Sequence, residues 1–132
     1  MAADSQFAAF LFPETVVQDD GAGPAIELGS AQGKDLLVTL GITRILEQES
    51  LEISVWGSPD GSSWGAKPIL AFPQKFYCGT YSITADLMGN PDLKYVRVQW
   101  KMNRWGRGDS KPLFGFYVFA EETVRVLAAS GD

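Results

Sequence analysis

Leu51-Glu-Ile-Ser-Val-Trp-Gly-Ser-Pro-Asp-Gly-Ser-Ser-Trp64 is the stretch on which the fold turns. Leu51, Ile53 and Val55 alternate with Glu52, Ser54 and Trp56, the two-residue period of a strand that buries one face. Ser58-Pro59-Asp60-Gly61 then stops the strand. Proline presets φ, aspartate bonds to nearby backbone amides and glycine accepts positive φ. Trp64 follows as an aromatic anchor for the turn.

The same grammar extends in both directions. Residues 94–102 are the clearest further strand, with Val96, Val98, Trp100 and Met102 on one face and Tyr95, Arg97, Gln99 and Lys101 on the other. Residues 34–45 place Leu36, Val38 and Leu40 in phase, and residues 76–86 do so with Tyr81, Ile83 and Ala85. Residues 113–119 are almost continuously apolar, as in a central strand covered on both sides. Residues 7–12 and 15–17 read as two short strands broken by Pro13, residues 25–28 as another, and residues 67–72 as an edge strand or loop flanked by prolines. Residues 19–24 read as a loop, 44–49 as a helical turn, 88–92 as a turn and 105–110 as a glycine-rich hairpin loop. Seven to nine strands at spacings of roughly ten residues, with no persuasive helix, predict an all-β chain. The expected architecture is an antiparallel β-sandwich or jelly roll of about eight strands, as a single domain over residues 1–132.

Composition agrees and narrows the chemistry. A hydrophobic fraction of 45% in 132 residues is enough for one core without disulfides. The single cysteine, Cys78, has no partner within the chain, and its neighbours Tyr77 and Tyr81 predict a buried structural thiol in a strand. The chain contains no histidine, which removes Ser-His-Asp and Cys-His machinery and imidazole-bound zinc. Carboxylates are plentiful, but no spacing selects a catalytic pair. The reading is therefore of a protein without enzymatic activity and without a cofactor. The N-terminal Met-Ala-Ala-Asp-Ser-Gln lacks a basic leader, and the apolar run 7–12 is too short for a signal or a membrane span. A soluble protein of the cytoplasm or of a virion is expected.

A strand followed by Ser58, Asp60, Gly61 and Trp64 in the pattern Ser-x-Asp-Gly-x-x-Trp resembles the middle of discoidin-type domains (coagulation factor 5/8 C-type) among the galactose-binding-like β-sandwiches. Lys94-Tyr-Val-Arg-Val98 resembles that family's arginine-bearing strand, and Phe116-Tyr-Val-Phe-Ala-Glu121 its closing strand. The order and spacing agree over about residues 36–121. The resemblance implies the sandwich architecture. It carries over no ligand residues, because the family binds through variable loops.

Charge is unevenly distributed. Residues 94–111 hold six basic groups (Lys94, Arg97, Lys101, Arg104, Arg107, Lys111) against Asp109 alone, whereas residues 1–93 hold four basic and twelve acidic ones. A basic segment on an acidic body suits docking onto a neighbouring copy, and arginines beside aromatics match the chemistry of interface hot spots. Tyr95, Arg97, Lys101, Arg104, Trp105 and Arg107 are the candidate partner contacts. Trp56, Asp60 and Trp64, with Tyr95, Trp105 and Asn103, form the alternative, a carbohydrate-binding surface in which rings stack on sugars. The aromatic–basic interleaving of Tyr95, Trp100 and Trp105 also fits a single-stranded nucleic acid, but a net charge of −5 opposes a polyanion. Arg107-Gly-Asp109 spells an integrin-type tripeptide, and Asp19-Asp-Gly21 is a conceivable calcium loop. The expectation is a self-associating structural or surface module, such as a virion accessory or particle-forming protein, that forms a homo-oligomer or joins a larger assembly. A glycan is the alternative partner.

Overall fold

A computed structural model describes residues 7–105 and 111–123. Among these residues nine strands follow in chain order: β1 (Ala8–Val17), β2 (Gly21–Ala22), β3 (Ile26–Glu27), β4 (Leu36–Ile45), β5 (Glu49–Ser58), β6 (Leu70–Ala71), β7 (Gly79–Ala85), β8 (Tyr95–Arg104) and β9 (Phe114–Glu122). A 3-10 turn at Gly29–Ala31 is the one helical element among the described residues. One sheet has the order β1-β9-β4-β7. The other has β2-β8-β5-β6, with β3 also on β8. Every paired ladder is antiparallel. β2 and β3 both pair with β8, so they act as one interrupted strand. The remaining connections, except β5 to β6, pass from one sheet to the other, which is the wrapping of a jelly roll.

The core lies between the sheets and is built by alternation. Leu36, Val38, Leu40 and Ile42 of β4 face Leu51, Ile53 and Val55 of β5 and Val96, Val98 and Trp100 of β8, all buried. Phe114, Phe116, Val118 and Ala120 supply the inward row of β9. Each fully buried aliphatic or Phe side chain contributes about 1.5–3 kcal/mol. Phe12, Trp100 and Phe116 form the aromatic centre, with ring centroids 4.7, 5.2 and 5.6 Å apart pairwise. The Trp100 indole N–H donates to the Asp19 carbonyl at 2.8 Å. Gly21 lies against that indole, where a Cβ would come within 2.9 Å of the ring.

Several local expectations are corrected. The two N-terminal pieces are one strand. β1 is an edge strand whose register slips between Phe10 and Phe12 and again before Thr15, and these irregularities accommodate Pro13, which has no N–H to pair. The slip also turns Leu11 and Phe12 inward in succession. The 19–24 loop contains β2. Residues 46–48 form no helical turn. They carry the chain from β4 to β5 in the opposite sheet, with Gln48 at φ 60. Cys78 is exposed and precedes β7 instead of lying buried within a strand. The hairpin loop expected over 105–110 lies, from residue 106 on, outside the described residues; β8 and β9 on either side of it belong to different sheets. β9 is covered on its inner side only, because Tyr117 and Phe119 remain half-buried on the outer side.

Candidate functional site

The turn after β5 is a closed network. Ser58 Oγ accepts from the amides of Gly61 at 2.8 Å and Asp60 at 3.2 Å, and its O–H donates to Asp60 Oδ1 at 3.0 Å. The amides of Ser62 and Ser63 both donate to the same carboxylate oxygen at 2.8 Å. The Ser63 and Ser62 amides, followed by the Ser58 hydroxyl, lower the Asp60 pKa to about 2. Gly61 adopts φ +83 and lies about 3.6 Å, from a Cβ position, to the Tyr95 ring. Asp60 and Tyr95 therefore build the turn.

The turn holds Trp64 beside β8, and the Arg97 guanidinium carbon lies 4.4 Å from the centroid of the Trp64 ring. Arg97 pairs in register with Trp56 on β5. Alternation along β5 and β8 then places Glu52, Ser54 and Trp56 beside Arg97, Gln99 and Lys101 on the outer face of the five-stranded sheet. The Trp56 indole N–H donates to Ser54 Oγ at 2.9 Å, which fixes the ring along the strand. A groove of about 330 Å³ runs here, lined by Glu52, Ser54, Trp56, Pro68, Gln99 and Lys101 among others. Six of the sequence-selected residues, Trp56, Asp60, Trp64, Tyr95, Arg97 and Lys101, thus share one face and its bordering turn.

The other three do not join them. Arg104 ends β8 with its Nε buried, opposite Glu49 in register. Arg107, with the tripeptide it begins, lies outside the described residues. Trp105 sits at the far end of the sandwich, where its ring centroid is 6.0 Å from that of Phe76 and its amide donates to the Gln48 carbonyl at 3.0 Å. Trp100 is buried, so it offers no platform to a nucleic acid. Asp19 accepts from Trp100 through its carbonyl and pairs with Lys111 Nζ at 3.3 Å, while Asp20 Oδ1 accepts from the Met102 amide at 2.7 Å. Both aspartates thus have structural partners. Among the described residues no cluster of three or more Cys, Asp or Glu could hold a metal ion.

Two exposed aromatic groups escaped sequence reasoning. Phe76 and Tyr77, included in the strand expected over 76–86, lie in the link before β7 and are exposed beside Trp105. On the outer face of the four-stranded sheet, Phe10 packs edge-on to Tyr117 at 5.9 Å and Phe119 at 5.0 Å. Phe10 and Val16 there are 49% and 44% exposed. Only the pairing of β1 with β9, distant in sequence, brings these rings together. A shallow hollow of about 490 Å³ lies on this face, rimmed by Glu14 and Glu121. Among the described residues no helix is long and apolar enough to cross a membrane. No protein-family model matches the chain, and no curated protein is significantly similar to it.

Proposed function

We propose that the chain is a non-catalytic structural module that self-associates, the outer face of the four-stranded sheet in one copy meeting the outer face of the five-stranded sheet in the next. The observation that carries this reading is the aromatic patch of Phe10, Tyr117 and Phe119. An exposed apolar group of this kind marks a contact surface. Its acidic rim, Glu14 and Glu121, complements Arg97 and Lys101 on the outer face of β8, on the opposite side of the sandwich. Because the two faces differ and point away from each other, the contact is heterologous and propagates into a ring or a filament.

Light scattering coupled to size-exclusion chromatography tests the proposal. The parent is expected to run as a concentration-dependent oligomer that shrinks at high salt. Phe10→Asp should give a monomer. Lys101→Glu should weaken assembly, and mixing it with Glu121→Lys should restore mixed oligomers. A strict monomer at low and high salt would exclude the reading.

One observation favours a second reading, a carbohydrate-binding module. The groove on the five-stranded sheet combines the Trp56 ring with the hydrogen-bonding side chains of Glu52, Ser54, Gln99 and Lys101, the mixture that suits a sugar. A glycan array followed by titration of Trp56→Ala distinguishes it from assembly.

A further inference from the structure

At the end of the sandwich, away from both sheet faces, the links before β5 and β7 and the end of β8 converge on a pocket of about 370 Å³. Three aromatic side chains line it, and all are exposed: Phe76 at 40%, Tyr77 at 73% and Trp105 at 53%. Their rings are inclined to one another. Phe76 and Trp105 meet at 68° with centroids 6.0 Å apart, and Phe76 and Tyr77 at 55° with centroids 6.4 Å apart. Among the described residues the remaining lining is Ile45, Glu47, Gln48 and Glu49, none of them cationic.

The pocket is braced from below. The Trp105 amide is held by the Gln48 carbonyl, and the Lys75 amide and carbonyl pair with Leu51 at 2.9 and 2.8 Å just before Phe76. Glu49 accepts from the Leu46 amide at 2.7 Å and the Leu113 amide at 2.9 Å, binding the link before β5 to the segment before β9. The rings are thus presented on a fixed base.

We propose that this pocket is a cage for a small organic cation of the trimethylammonium type. Ring faces attract cations within about 6 Å of their centroids, and the attraction is strongest for tryptophan. Inclined rings let several faces address one centre, which a spherical methylated ammonium exploits and a flat sugar does not. Glu47 adds negative charge at the rim, where a neutral ligand would gain nothing from it. This assignment is independent of the assembly surface.

Choline and its uncharged isostere 3,3-dimethyl-1-butanol form the test, read by saturation-transfer NMR and by the upfield ring-current shift of the methyl protons on the full chain. Saturable binding of choline is expected, with the isostere weaker by at least about threefold. Trp105→Ala should abolish the shift, and Glu47→Gln should weaken choline by about threefold while leaving the isostere unchanged. Because both residues are exposed, the variants should retain the parent's circular-dichroism spectrum. If Trp105→Ala unfolds, Phe76→Leu serves in its place. Absence of saturable choline binding, equal binding of the two ligands, or choline binding indifferent to Trp105 or Phe76 would each overturn the assignment.

Discussion

Replacing Glu49 should destabilise this fold more than replacing any exposed charge. Glu49 is fully buried, yet it pairs with backbone and not with water: Oε2 accepts from the Leu46 amide and Oε1 from the Leu113 amide. The two amides lie 67 residues apart in sequence, on links that each cross between the sheets. Hydrogen bonds to a charged group contribute roughly 1.5–3 kcal/mol each. Glu49→Ala removes both and leaves two inward N–H groups without an acceptor, so the expected loss is about 3–6 kcal/mol. Against a typical total of about 5–15 kcal/mol this is a large fraction, and it corresponds to a fall in Tm of roughly 10–20 °C for a chain of this length. Glu49→Gln keeps one acceptor but presents an amide NH₂ to the second donor, so about half that loss is expected. Urea titration followed by tryptophan fluorescence, with thermal melts by circular dichroism, measures both. Stability of both variants within about 0.5 kcal/mol of the parent, the range of an ordinary surface substitution, would refute the bracing role.

Further outcomes follow from other sites. The folded Asp60 pKa lies below the ordinary 3.8, so the turn's contribution is complete above that value and is lost as pH falls toward about 2; a carboxyl-carbon NMR titration should find the low midpoint, and Asp60→Asn should flatten the acid limb of the stability profile. Gly41 lies under Tyr117, where a Cβ would sit 2.2 Å from the ring; Gly41→Ala should cost about 1–3 kcal/mol in denaturant unfolding by driving the ring outward. Exposed Cys78 should take one equivalent of a thiol reagent in the native state, and protection until unfolding would contradict its placement.

The strands with one buried face were legible because alternation is a local signal. β8 follows it residue by residue, as do Leu36 to Leu40 of β4 and Leu51 to Gly57 of β5, and the Ser58–Asp60 turn follows from side chains two and three positions apart. What was not legible depends on pairing at long range. Pro13 looked like a break because the sequence does not reveal that β1 is an edge strand able to hold a bulge. Residues 113–119 looked covered on both sides because their apolar run does not disclose that Thr39 of β4, opposite Phe119, leaves the outer aromatics open. Residues 44–49 looked helical because charged and branched residues with no alternation suit a turn, while the need to change sheets within three residues is a property of topology. The candidate residues fared in the same way. Those on β5 and β8 were brought together by one ladder, and Trp105 was separated from them because the chain leaves the sheet immediately after Arg104.

The ninth strand sits between the first and the fourth, pairing Ala8 with Glu121 on one flank and Leu36 with Glu122 on the other. During synthesis the early strands therefore wait for a middle partner that emerges from the ribosome after all the others. Until it inserts, two rows of inward-facing leucine, valine and phenylalanine stay open to water and to other nascent chains. Folding is accordingly a late event dominated by distant contacts and slow for the chain's size, and in the interval before closure the chain is most in need of chaperones.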